Sequence, residues 1–249
     1  MSAAPLDATQ AIPPGDPLLE AITERGYALV RGPDMAARLG LSAAALEEFA
    51  ASWERLETDG FMADGGRYRR RRIANFTARA GIPGHRRGPH RPHFQAVVHN
   101  SLNGGVERWF GPMEEAVAAG APPQALLGLG RAVADARSPG QDWFVEVHQF
   151  RIEAVAGAPG FPTPEGAHHD GVDYVLIGMI ARTNLTGGET LITDDAGQEL
   201  ARFTLLDRLD AAFIEDARVM HGVTPVAPLD PALASCRDVL VITWKRGLR

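Results

Sequence analysis

Apolar positions in the first half of the chain recur at helical spacing, and from residue 143 onward they gather into short β-rich runs. Pro17 to Arg25 reads as a short helix: proline suits the first helical position behind Asp16 as N-cap, and Gly26 stops it. Tyr27–Arg31 then reads as a strand. The segment LSAAALEEFAASWERLE offers Ser42 as an N-cap and places Leu46, Phe49, Ala50, Trp53 and Leu56 on one helical face. Pro112–Ala119 and Pro123–Ala136 are two further helices. Downstream, WFVEVHQFRI, DYVLIGMIARTNL, ETLIT, LARFTLL, ARVMHGVTPV and DVLVITWKR are separated by turn-forming stretches such as GAPGFPTPEG and DDAGQ. This spacing predicts an α+β, mainly β protein: a sandwich, jelly roll or barrel behind N-terminal helices.

No repeat and no linker divides the chain, so residues 1–249 are expected to form a single unit. Residues 1–16, rich in alanine and proline, make a mobile lead-in, and 143–246 the core. The formal charge of −6 gives no general attraction to nucleic acid or an anionic membrane. A single cysteine, Cys236, excludes an intramolecular disulfide and suits a reducing, cytoplasmic setting. The first residues show neither a basic nor an apolar signal region, and no run is long enough to cross a bilayer as a helix.

The stretch PEGAHHDG, residues 164–171, carries the chemistry. Residues i and i+2 of an extended chain share a face, so His168 and Asp170 can converge while His169 points away. A mononuclear site needs a third ligand. His221, polar within the apolar run RVMHGVTPV, is the best candidate. Two histidines and a carboxylate leave open positions on a cation, the arrangement of non-haem Fe(II) oxygenases. Such iron needs a two-electron co-substrate to activate O₂, and a 2-oxo acid serves. Its far carboxylate calls for a buried arginine. Arg237 opens the strand after the one carrying His221, and pairing of those two strands would set it beside the metal. The alternatives are a hydrogen-bonded loop pair for His168 and Asp170, a satisfied core histidine for His221, and a surface ion pair with Asp238 or Glu215 for Arg237.

PEGAHHDG, TGGET, VMHGVTPV and RDVLVITW, in that order, resemble the bacterial Fe(II)/2-oxoglutarate dioxygenases that hydroxylate free L-amino acids, the L-isoleucine 4-hydroxylase type. VHQFRI also resembles them, and the likeness covers about residues 143–246. It implies a double-stranded β-helix (jelly-roll, cupin-like) core, iron on His168, Asp170 and His221, and the 2-oxoglutarate 5-carboxylate on Arg237. Fe(II), 2-oxoglutarate and O₂ are then the cofactor and co-substrates. The substrate implied is a small molecule, a free aliphatic L-amino acid, with a homodimer left open. The competing function is a cupin-like metalloprotein, a hydrolase, isomerase or effector-binding module, that does not use 2-oxoglutarate and has no need of Arg237.

Three other features are expected to be secondary. GRYRRRRIANF, with Arg67, Arg69, Arg70, Arg71 and Arg72, reads first as a solvated face or a set of internal salt bridges, and second as a source of one arginine for a substrate carboxylate. Glu165 is the candidate acceptor for a substrate ammonium group. HRRGPHRPH, with His85, His90 and His93, has no metal-site spacing and reads as a mobile basic loop within a lid over residues 77–105; His148 is left between a structural and a substrate-facing role.

Overall fold

Asp16 caps the first helix as its position predicts, its Oδ1 accepting from the Leu18 amide at 2.9 Å, and Gly26 ends it with a left-handed φ of 83°. The structure, a computed structural model, describes residues 11–62, 64–100, 102 and 104–248. Most of the expected mobile lead-in, residues 1–10, lies outside the described residues. Ile12 corrects the rest of that expectation, because it is buried in the main apolar core.

The helices are α1 (Pro17–Arg25), α2 (Gly32–Leu39), α3 (Ala43–Ala51, continued by a 3₁₀ turn Ser52–Arg55), α4 (Glu115–Ala118) and α5 (Ala121–Arg137). The strands of the N-terminal half are β1 (Tyr27–Val30), β2 (Glu57–Thr58), β3 (Arg69–Ala78) and β4 (Arg86–Arg87). Those of the C-terminal half are β5 (Trp143–Ala154), β6 (Tyr174–Thr183), β7 (Leu185–Gly187), β8 (Glu189–Thr193), β9 (Glu199–Thr204), β10 (Ala211–Glu215), β11 (Met220–Val223), β12 (Val226–Pro228) and β13 (Ser235–Arg246). Helix α2 and strand β10 are among the elements without a sequence expectation. Helix α2 lacks a side-chain N-cap, and β10, AAFIE, opens on two alanines that carry little strand preference. The helix expected at Pro112–Ala119 is only the single turn α4.

The large antiparallel sheet runs β1-β10-β6-β13-β5-β3-β2, with β4 on the edge of β3; a smaller sheet runs β11-β8-β9, and β12 pairs with β7. Side-chain alternation gives the large sheet two distinct faces. Trp143, Val145 and Val147 of β5, with Leu240, Ile242 and Trp244 of β13, join the core shared with the helices. Their neighbours in sequence turn the other way. Val175, Ile177 and Met179 of β6 and Val239 of β13 pack with Ile192 of β8, and Ala201 and Phe203 of β9 lie against them. The two sheets thus face each other across a second core, the double-stranded β-helix arrangement. The inner face of the large sheet continues beyond this core as one wall of a cavity of about 260 Å³. Among the described residues no helix is long and apolar enough to cross a membrane.

Candidate metal and co-substrate site

His168 and His221 are brought together by backbone. The two residues form an isolated antiparallel bridge, each amide donating to the other's carbonyl at 3.0 Å, and their rings lie 4.8 Å apart. Close approach of the chains needs glycine next to His221, because a Cβ on Gly222 would stand 3.0 Å from the Ala167 backbone. Gly171, after Asp170, has φ 76° and turns the chain against the His99 ring, which a Cβ there would meet at 2.4 Å. The HHDG and HG patterns are therefore backbone requirements as much as ligand motifs.

The ligand-type atoms of His168, Asp170 and His221 all lie within 4.8 Å of one another. Asp170 Oδ1 is 3.5 Å from His168 Nε2, and its Oδ2 is 3.6 Å from His221 Nε2. His168 Nδ1–H donates to the Gly166 carbonyl at 3.0 Å, which leaves Nε2 free for a cation. His169 faces away, as the alternation requires, bonding the Asp216 carbonyl and, at 3.0 Å, Asp195.

A buried carboxylate that sequence reading missed fixes the loop. Asp216 accepts from the amides of Asp170, Gly171 and Val172 at 2.9, 2.8 and 3.2 Å, and Gln95 Nε2 donates to Asp170 Oδ1 at 3.2 Å. Asp216 lies in a turn without periodicity, so no pattern marks it.

Burial opposes charge on His168, but the Asp170 hydrogen bond and charge, with Glu165, hold its pKa up to about 9. Burial and the neighbouring His168 push His221 down to about 4. For Asp170, burial is outweighed by the His168 hydrogen bond and the charges of His221 and His168, so its carboxyl stays well below the usual range. The set therefore carries one proton more, on His168, than a neutral-imidazole, ionised-carboxylate ligand set.

Arg237 lines the same cavity at 2% exposure. Its expected route there is corrected: β13 pairs with β5 and β6, whereas β11 pairs with β8. Arg237 reaches the cavity because it occupies the inward register shared by Val239, Val241, Thr243 and Lys245. The surface-pair alternative also fails, since Asp238 is held by Arg151 at 2.8 Å. Arg237 Nε and Nη2 are buried without a hydrogen-bond partner, and burial, with the Arg182 charge, lowers its pKa to about 10. An orphaned guanidinium of this kind fits a carboxylate.

A second His-carboxylate cluster, His93, Glu146 and His148, lines the cavity, which corrects the reading of His93 as part of a mobile basic loop: it stands in the cavity wall. His93 Nδ1 and Glu146 Oε2 are 3.0 Å apart, and the His93 and His148 rings meet edge-on at 5.0 Å. Arg71 Nη2 approaches His148 Nδ1 at 2.8 Å, and since a guanidinium only donates, Nδ1 accepts and the proton sits on Nε2. Burial first, then the charges of Arg71 and other neighbours, depress His148 well below its usual range. Those same cations oppose a metal ion here. His85 and His90 do not join the cluster.

The arginine run divides by face. Arg70 and Arg72 pair outward with Glu153 and Glu57 at 2.9 and 3.1 Å, as the salt-bridge expectation requires, while Arg69 and Arg71 are buried and line the cavity. Arg67 is exposed before the strand begins.

The family model for 2OG-Fe dioxygenases matches residues 50–243. The chain belongs to that family. Family members are oxidoreductases that use Fe(II), 2-oxoglutarate and O₂, and the alternative of a cupin-like metalloprotein that does not use 2-oxoglutarate is set aside. It is 27% identical to a 3(1)-hydroxy-L-isoleucine 4-dioxygenase of Pantoea ananatis (strain AJ13355) over 64% of this chain and 66% of that relative, a little under two thirds of its length. A solved bsmA homologue from Methylobium petroleophilum PM1 is 37% identical, with a TM-score of 0.84 and coverage of 98% of this chain and 94% of the other. IDO from Bacillus thuringiensis, at 17% identity and a TM-score of 0.78 over 93% of this chain and 98% of its own, shares the dioxygenase fold.

Proposed function

We propose that His168, Asp170 and His221 hold Fe(II), that Arg237 takes the far carboxylate of 2-oxoglutarate, and that the enzyme hydroxylates an unactivated C–H of a free aliphatic L-amino acid. The observation that carries this reading is one cavity lined by a His-Asp-His set, with donor atoms within 4.8 Å, and by a buried arginine whose Nε and Nη2 have no hydrogen-bond partner among the described residues. Bound iron with 2-oxoglutarate supplies O₂ activation, and succinate and CO₂ are the co-products. The protein's own residues orient and enclose. Val239, Val241 and Ile177 add apolar wall on the sheet strands that carry and adjoin Arg237, and side chains from the segment between His93 and Asn100 complete the lining. Such walls exclude water and decide which carbon faces the oxidant. Residues 1–249 are read as one dioxygenase unit, because the helices of the first half pack on the outer face of the sheet that carries the site. The name of the Pantoea relative, a hydroxy-isoleucine dioxygenase, supports an isoleucine-like substrate.

Screening the twenty L-amino acids and hydroxylated branched-chain derivatives for substrate-dependent succinate release, with product mass, tests the substrate class. An aliphatic amino acid gaining one oxygen is expected. Background turnover with every candidate would refute that class.

Metal binding should also release a proton. His168 is protonated below about pH 9 in the metal-free protein, whereas a cation requires it neutral; His221, depressed to about 4, is already neutral. The affinity for Mn(II), a redox-stable probe, is expected to rise about tenfold per pH unit up to about 9 and then level. Since the folded pKa is raised above 6.5, the same proton stabilises the metal-free fold fully below pH 6.5, and that stability is lost as pH rises through about 9. Calorimetric titration in buffers of different ionisation enthalpy measures the proton directly; a pH-independent affinity would contradict the assignment.

A further inference from the structure

Charge is unbalanced on the part of the cavity wall that includes β3, two strands across the sheet from β13 and Arg237. Arg69, Arg71 and Arg108 line it at 7%, 4% and 2% exposure. Asp59 is the one carboxylate within ion-pair reach of them among the described residues, 2.7 Å from Arg69 and 3.7 Å from Arg71. Glu146 and Glu165 act on these cations only at longer range. Arg71 is clamped between the rings of Phe110 and Phe150, at 3.6 and 4.3 Å from their centroids, and its Nε has no partner. Among the described residues the Arg108 guanidinium makes a single long hydrogen bond, Nη2 to Gln95 Oε1 at 3.5 Å, and its Nε also lacks a partner. Buried cations that outnumber their counter-ions are costly, and rigidly held ones are preorganised for an anion.

An acceptor pole adjoins this one. Asn100 Nδ2 donates to Gln95 Oε1 at 3.0 Å and reaches Glu165 Oε1 at 3.5 Å, so one polar network links Arg108 to Glu165. Glu165 Oε2 is buried without a hydrogen-bond partner among the described residues, and Glu165 Oε1 lies 3.6 Å from His168 Nε2. A cationic and an anionic pole joined through two amide side chains match the two ends of an α-amino acid, whose carboxylate and ammonium are separated by one carbon.

We propose that Arg71 and Arg108 bind the free α-carboxylate of the substrate and that Glu165 accepts from its ammonium group. The substrate is then an amino acid with an unblocked carboxyl group, not one attached through that group to a peptide or carrier. This rests on the free amino-acid reading above and adds the residues that recognise the two charged ends of the substrate.

The test is calorimetric titration of the anaerobic Fe(II) and 2-oxoglutarate-loaded enzyme with the twenty L-amino acids, each as the free acid and as the C-terminal amide. The best free acid is expected to bind about 30-fold or more tightly than its amide. Arg71→Gln and, separately, Arg108→Gln should abolish that preference while 2-oxoglutarate affinity stays within about threefold. Equal binding of acid and amide in the unaltered enzyme overturns the proposal, whatever the variants do. Loss of 2-oxoglutarate affinity in a folded Arg108→Gln variant would also overturn it, by placing the co-substrate on these arginines. If no free acid binds, the amino-acid reading itself fails and this inference with it; acid and amide binding alike leaves that reading standing and removes only the inference.

Discussion

His221→Ala is expected to lose bound iron after anaerobic loading and gel filtration, and to lower substrate-dependent succinate formation by about three orders of magnitude or more, roughly 4 kcal/mol of barrier. His168 and Asp170 are neighbours on one loop, and only the bridge to β11 supplies a third donor from a separate part of the chain. Two ligands leave a ferrous ion weakly held and free to exchange with buffer. His169→Ala is the control. Its ring bonds to Asp216 and Asp195, away from the other two imidazoles, so metal content and turnover should stay within about threefold of the unaltered enzyme. Metal analysis together with a succinate assay checks both variants. A His221→Ala protein that keeps its iron, or a His169→Ala protein that loses it, would contradict the ligand assignment.

Arg237→Ala is expected to separate co-substrate binding from metal binding. Truncating one partner of a buried charge pair costs about 2–5 kcal/mol, so the KM for 2-oxoglutarate should rise about 30-fold to several thousandfold while iron is retained. Without 2-oxoglutarate the guanidinium Nε and Nη2 have no hydrogen bond to lose among the described residues. The ligand-free variant should therefore remain folded, and its circular dichroism should match that of the unaltered protein. Arg237→Lys keeps the charge but not the planar fork and should recover only part of the affinity. Steady-state kinetics with 2-oxoglutarate varied, alongside an iron assay, measures the split; equal loss of both would assign Arg237 a structural role.

The parts of the site legible in the sequence were those governed by local geometry. Alternation separates His168 and Asp170 from His169, and the structure has the same division. The N-caps Asp16 and Ser42 were legible because capping is a local hydrogen bond. Tertiary placement was not. Arg237 reaches the cavity, but on a strand paired with β5 and β6, because strand order in a jelly roll follows from how the sheets fold over each other.

The inward face of β5, with Phe144, Glu146, His148 and Phe150, alternates with apolar residues much as a solvated strand would, so a buried polar wall and a wet surface share one pattern. Gln95, Asn100 and Arg108 come from irregular segments, where no period marks a side chain as buried. The arginines of β3 show the same limit. Their two faces were visible, but which face met the cavity depended on the packing of Phe110 and Phe150 around Arg71.

The central claim, one ferrous ion on His168, Asp170 and His221 with 2-oxoglutarate chelated beside Arg237, is tested most directly by anaerobic optical titration. Adding 2-oxoglutarate to the Fe(II)-loaded protein should raise a weak visible charge-transfer band that saturates near equimolar co-substrate, disappears in His221→Ala, and needs far more 2-oxoglutarate in Arg237→Ala. Iron retained with no band, or a band unchanged in both variants, would contradict it.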